Sequence, residues 1–219
     1  LMTEQPPNQG PGAEQPGPED STRRDSEAMP YYAEALETRR RVLGDEHPDT
    51  LVSIGNMGKL LSKQGKSEEA MPYYVESLEV SRRVLGDEHP DTLSSINNMG
   101  SLLREQGKLE EAMPYYIEAL EARRRVLGDE HRSTLISINH IGNLLKVQGK
   151  YEEAESYYME DLEVSRRILG DEHPDTLVAI SALISLYDAW KKPEKAAEYG
   201  ALLEVIEAKN AETTEPVAP

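Results

Sequence analysis

The sequence predicts an all-α solenoid of antiparallel helix pairs, and three observations carry that expectation. Between about Ser26 and Lys209 the chain repeats itself every 42 residues. Each repeat contains two stretches whose apolar residues recur at helical spacing. The nonapeptide LGDEHPDTL stands at Leu43–Leu51, Leu85–Leu93 and Leu169–Leu177, altered to LGDEHRSTL at Leu127–Leu135, so it occurs once per period. A fixed period of this size marks a stack in which each unit buries its apolar face only against its neighbours.

Composition agrees with a thin core. The 219 residues are 37% apolar, contain no Phe and carry a net charge of −17. No stretch approaches the roughly 20 apolar residues of a membrane span, and none has the layout of a signal peptide. Without cysteine there is no disulfide framework, zinc–thiolate site or thiol nucleophile. That fits a reducing compartment, so a soluble cytoplasmic protein is expected, with no membrane insertion. The negative charge disfavours nucleic acid as a partner, because affinity for phosphate rests on Lys and Arg.

Taken in order, Leu1–Asp25 holds five prolines and three glycines with almost no apolar residue, and is expected to be a disordered tail. Residues 26–209 form the repeat array: one leading helix, Ser26–Val42, followed by four helix pairs. The leading helix has no first-type helix before it, which leaves an open edge. In Pro48–Gln64, Leu51, Ile54, Leu60 and Leu61 with Gly58 trace one helical face, and Gly65 supplies a left-handed ending. The second helix, about Ser67–Leu85, buries Ala70, Tyr73 or Tyr74, Ser77, Leu78 and Val84. Glu68 and Glu69 at its start and Arg82 and Arg83 at its end suit the helix dipole. Pro72, like Pro30 and Pro114, falls inside this second helix and predicts an irregular or kinked early turn. Later rows repeat the pattern. The fourth pair departs from it, with Ile184 for the small glycine, Leu203 at the place of Ser77 and Ala119, and WKKPEK at Trp190–Lys195 for QGK, so Trp190 and Tyr187 are expected to pack a cap. Residues 210–219 are expected to form a second disordered tail.

The helix pairs with Gly58, Ala70, Tyr74 and Ser77 at these intervals resemble tetratricopeptide repeats. The 42-residue period, with LGDEHPDTL after an RRV helix end and QGKxEEA joining the two helices, is similar to the longer variant of kinesin light chain. The resemblance covers about Ser26–Lys209 and implies a right-handed superhelical solenoid that binds proteins. No heptad segment of the kind that ties a light chain to its motor is evident.

Rows Leu43–Val84 and Leu85–Val126 differ at 10 of 42 positions. Five of these lie on the first helix, opposite or beside its buried face: Val52/Ser94, Gly55/Asn97, Lys59/Ser101, Ser62/Arg104 and Lys63/Glu105. The scaffold is repeated while one face is varied, as expected of a recognition surface. In tetratricopeptide proteins the first helices line the concave groove. The resemblance therefore implies a peptide-binding set of Asn56, Lys59 and Lys63; Asn97, Asn98, Ser101 and Arg104; and Asn139, His140, Asn143 and Lys146. Asn offers donor and acceptor to an extended backbone, and Lys and Arg meet carboxylates. Ser181, Ala182 and Ser185 of the fourth pair are poorer.

Charge separates the two kinds of helix. The first helices with their following turns carry a net +5, the second helices −9 and the four GDEH loops −8. An acidic chain with a mildly basic groove is expected to take a protein or peptide partner bearing an acidic segment. The alternative is an assembly subunit that docks, or forms a homo-oligomer, through its solenoid ends. No phosphate loop or nucleophile triad supports an enzyme, and no cofactor is expected. The repeated Asp, Glu and His of LGDEHPDTL can ligate metal, but the weight falls on a structural joint. Gly44 is expected to provide a left-handed exit, His47 to lie near a helix N-cap, Pro48 to take the first helical position and Asp49 the first turn.

Overall fold

The computed structural model describes residues 18–214, and side chains within 27–210. Among the described residues there are nine helices and no strand: α1 (Pro18–Leu43), α2 (Pro48–Lys63), α3 (Ser67–Leu85), α4 (Pro90–Glu105), α5 (Leu109–Leu127), α6 (Arg132–Val147), α7 (Tyr151–Leu169), α8 (Pro174–Ala189) and α9 (Pro193–Thr214). Both end boundaries move outward from the expected 25/26 and 209/210. Pro18 with Glu19 and Asp20 behind it makes a favourable helix start, because proline suits the first position and acid suits the first turn. The repeat ends where the period ends, not where helix-forming residues end. Residues 1–17 and 215–219, the rest of the two expected tails, lie outside the described residues.

Each helix packs on the next from α1 to α9, and α2 also meets α4 as α6 meets α8. This is the nearest-neighbour order of a solenoid. One apolar cluster runs continuously from Leu61 to Ile206, and a smaller one, Leu36, Leu51, Ile54 and Met57, seals α1 onto α2.

Close approach of first and second helices within a pair depends on glycine. A Cβ on Gly58 would lie 2.9 Å from the Tyr74 ring, one on Gly100 2.9 Å from Tyr116, and one on Gly142 2.8 Å from Tyr158. Those tyrosines are buried, filling the space that the missing side chain vacates. In the last pair the exchange is reversed: Ile184 stands at the glycine position and Gly200 at the tyrosine position, where a Cβ would meet nothing within 4 Å. Large and small have swapped helices. The cap closes with Tyr187, Trp190 and Tyr199: Trp190 stacks on Tyr151 at 5.8 Å and on Tyr187 at 6.3 Å, as expected of cap packing.

The internal prolines do not break their helices. α1, α3 and α5 continue unbroken through Pro30, Pro72 and Pro114, contrary to the irregular turn expected. All three prolines are solvent-exposed, so the carbonyl each leaves unbonded can meet water instead.

The joints account for the Gly, Asp, Glu and His of the first three copies. Gly86 has φ 88° and ψ 163°, a mirror-extended conformation that only glycine adopts readily. Gly44 shares the positive φ, 90°, expected of a glycine exit. Gly65, by contrast, has φ 74° and completes a left-handed ending in which Lys66 N–H donates to Leu61 O at 3.0 Å and Gly65 N–H to Ser62 O at 2.8 Å. Each joint histidine is itself the N-cap: Nδ1 of His47 and His89 accepts the N–H of Asp49 and Asp91 at 3.2 Å, and His131 and His173 do the same at 3.1 Å. The acids meet arginines. Arg40 binds Glu76 of the next second helix at 2.6 Å and Asp45 of its own loop at 3.4 Å. Arg82 repeats this with Glu118 and Asp87, and Arg124 with Glu160 and Asp129. The adjacent arginine reaches backward, Arg83 to Glu46 at 2.8 Å, Arg125 to Glu88 at 2.7 Å and Arg167 to Glu130 at 2.9 Å. Each exposed pair is worth at most about 1 kcal/mol; the ladder holds the register of successive second helices. Among the described residues no three His, Asp or Glu side chains are placed to hold a metal ion.

Gly100→Ala should push the Tyr116 ring away and cost about 1–3 kcal/mol, lowering the thermal midpoint by several degrees in circular dichroism. Gly200→Ala, where space is open, should leave it unchanged or raise it, by up to about 1 kcal/mol of helix propensity. Equal effects of the two would contradict the packing account.

Candidate functional site

The varied stripe lies on α2, α4 and α6, and residues one period apart stand at equivalent places on successive first helices. One column is Ser62, Arg104 and Lys146; the next is Lys59, Ser101 and Asn143; a third is Asn56, Asn98 and His140. On α2, Asn56, Lys59 and Lys63 are exposed. On α4 and α6, Asn98, Arg104 and Lys146 are half-buried. Burial first, and then the Arg104 charge, hold the Lys146 ammonium below its ordinary range, Arg104 and Lys146 standing at equivalent places on α4 and α6. Lys146 Nζ donates to Ser185 Oγ at 3.0 Å. The acid on this stretch of α4, Glu105, accepts a hydrogen bond from Ser62.

Five of the expected groove residues are committed to the scaffold itself. Asn97 is only 8% exposed, because His140 of the following repeat covers it, with Nδ1 2.8 Å from Asn97 Oδ1 and its ring 5.4 Å from that of Tyr116. His140 is therefore a half-buried wedge between repeats. Burial, with Arg104 and Arg123 nearby, lowers its pKa to about 4, so it is neutral near pH 7. With Asn97 presenting its oxygen, the ring donates from Nδ1. Ser101 Oγ accepts from Tyr116 Oη at 3.0 Å. Asn143 Nδ2 donates to Asn139 Oδ1 at 2.6 Å, and Asn139 Nδ2 to Asp161 Oδ2 at 3.3 Å. Periodicity identified the face; it did not report how closely successive first helices approach.

The residue missed is Asp161. It occupies the α7 position held by Ser77, Ala119 and Leu203 in other rows and is 6% exposed. Its neighbours are Asn139, Ser165, whose Oγ donates to Oδ1 at 3.3 Å, and more distantly Asp175 and Glu160. Burial raises its pKa to about 6, the two hydrogen bonds lowering it and the two acids raising it further. It faces a cavity of roughly 280 Å3 between α6, α7 and α8. Across this cavity Arg132 and Asp175 form a bidentate pair, Nε to Oδ2 at 2.6 Å and Nη2 to Oδ1 at 3.1 Å. The altered third joint, with Arg132 for proline, thus gains a contact to the next repeat. A carboxylate inside an otherwise apolar stripe was the sequence signal for this site.

Stacked antiparallel helix pairs whose first helices share one face define a helical-repeat scaffold. Residues 23–80, 55–125, 91–160 and 135–201 match the Tetratricopeptide repeat family, and the chain belongs to it. Such repeats mediate protein–protein interaction. The fold is similar to the crystal structure of a Podosopora anserina kinesin light chain homologue with nearly identical TPR-like repeats, at TM-score 0.71, 22% identity and coverage of 88% of this chain and 94% of that one. A single-substitution form of that homologue gives 0.74, 22%, 89% and 95%. BtubC (BKLC) from P. vanneervenii is similar at TM-score 0.73 and 23% identity, over 90% of this chain and 77% of that one. No curated protein sequence matches the chain.

Since the folded pKa of Asp161 lies above its ordinary value of 3.8, the folded state binds the extra proton. This contribution to stability is full below about pH 4 and is lost as pH rises through 6. Asp161→Asn should therefore stabilise the protein by about 1–3 kcal/mol at pH 7 and by almost nothing at pH 4, in denaturant unfolding at the two pH values. A gain that does not change with pH would contradict this reading.

Proposed function

We propose that this chain is a peptide-binding adaptor, without catalysis, whose first-helix groove holds a short acidic segment of a protein partner. The observation that carries this is the cationic stripe: Lys59 and Lys63 exposed on α2, with Arg104 and Lys146 half-buried at equivalent places on α4 and α6, where the Arg104 charge adds to burial in lowering the Lys146 pKa. Two like charges held side by side in a half-buried groove repel each other, and a carboxylate laid between them relieves that repulsion while forming charge-assisted hydrogen bonds. Asn56 and Asn98 flank the stripe and suit the backbone of an extended segment. Among the described residues no helix is long and apolar enough to cross a membrane, and a cytoplasmic setting fits this role.

A second reading, assembly through the open end, has its own support. Tyr31 is 73% exposed and Tyr32 42% on α1, where later repeats bury the equivalent ring. Solution mass across a concentration series separates the two, since a constant monomer mass is incompatible with self-stacking.

Selection of a random peptide display library on the full chain should enrich sequences rich in Asp and Glu. Combined Lys59→Glu, Lys63→Glu and Lys146→Glu should weaken an enriched peptide at least tenfold with the helical spectrum unchanged, and raising the salt should weaken it in the parent chain. Enrichment without acidic bias, or binding indifferent to the triple change, would refute the acidic-segment reading.

A further inference from the structure

The internal repeat supplies a direct comparison for the cavity at Asp161. Position by position along the second helices, Arg39, Ser81, Arg123 and Ser165 occupy the same place in successive rows. Where that residue is arginine, its guanidinium lies between the start of the next first helix and the preceding one. Arg123 Nη1 donates to Ser133 O at 3.4 Å and to Ser137 Oγ, and Nη2 donates to Leu93 O at 3.4 Å. Arg39 makes the matching contacts, to Asp49 O at 3.3 Å and to Ser53 Oγ. Arg123 is 6% exposed, so this is a built seat for a guanidinium.

One period later the arginine is replaced by Ser165, and the seat becomes the cavity. Its lining contains Leu135 and Asp175, the counterparts of Leu93 and Ser133, whose carbonyls hold Arg123. Of the two rows that lack the arginine, this one has also gained a carboxylate, Asp161, where the Arg123 row has Ala119 and the Ser81 row has Ser77. Asp161 receives two hydrogen bonds from neutral groups, and no cation stands within ion-pair distance of it among the described residues. The other charges on the lining cancel, because Arg132 is spent on Asp175 and His140 is neutral. Roughly 280 Å3 equals the liquid volume of about nine waters, room for an arginine stem and its head.

We infer that the cavity between α6, α7 and α8 receives the guanidinium of an arginine side chain carried by the bound partner segment, with Asp161 as its ionic anchor. The seat is the one that Arg123 fills from within the chain, now emptied and supplied with the negative charge that an incoming cation requires. For the identity of the carrier this rests on the peptide-groove reading. Asn139 and His140 line the cavity, and Lys146 follows them by six or seven residues on α6, about 10 Å along the axis. An extended segment covers that distance in about three residues, so one segment can place an arginine at Asp161 and a carboxylate at Arg104 and Lys146.

The test titrates N-acetyl-L-arginine N-methylamide, and the matching citrulline derivative, into the 15N-labelled full chain while amide shifts are recorded. The probe carries no carboxylate, so its result is independent of the acidic-segment experiment. The arginine derivative should saturate in the millimolar range, with shifts confined to residues near 136–140, 161–165 and 175–178, and the citrulline derivative should bind at least tenfold more weakly. Asp161→Asn should weaken arginine binding at least tenfold. Ser165→Arg, which refills the seat internally as Arg123 does, should abolish it while retaining the helical spectrum and thermal midpoint. Equal binding of citrulline, unchanged binding in Asp161→Asn or Ser165→Arg, or no shift at all would overturn the inference.

Discussion

A glycine backbone pressed against a tyrosine ring sets the dimensions of this molecule. With any side chain at Gly58, Gly100 or Gly142, the Cβ would stand within 2.9 Å of the ring opposite, so first and second helices would have to separate. That separation would propagate, because each pair has no core of its own beyond what it shares with its neighbours. The spacing of the first helices, and with it the width of the groove and of the Asp161 cavity, follows from this contact. The last pair departs from the contact altogether: Ile184 stands at the glycine position and Gly200 at the tyrosine position, so no ring presses on that backbone.

A second constraint, register, comes from the joints. In the first three joints the Asp pairs with an arginine of the preceding second helix and the Glu with one of the following second helix, and in all four the His caps the next first helix through Nδ1. The ladder stops where the array stops, since Leu202 stands where the series would place a glutamate to meet Arg166.

The fold was legible from the sequence because its signals were local and repeated. Helix starts, glycine endings and apolar stripes each occurred several times and agreed. The extent of α1 was not legible, since helix propensity runs beyond the period. Nor was the intactness of α3, because solvent access to a freed carbonyl depends on which side of the stack Pro72 faces. The candidate site was legible only as a shared helix face. Asn97 and His140 share that face with Lys59, yet contact between successive first helices turns the pair inward, a distance that one row cannot report. Asp161 was visible as an acid at a small-residue position, but its meaning needed the neighbouring Arg123 to show what occupies that place.

On this account the invariant part of each repeat builds the frame and the varied first-helix face does the recognising. The most direct measurement is an amide-shift map of the full chain with a display-selected peptide bound. The account predicts perturbations along α2, α4 and α6, together with the cavity-facing residues of α7 and α8, and quiet joints and outer faces of α3 and α5. A footprint centred on the LGDEH joints, or on the second helices away from the groove, would contradict it.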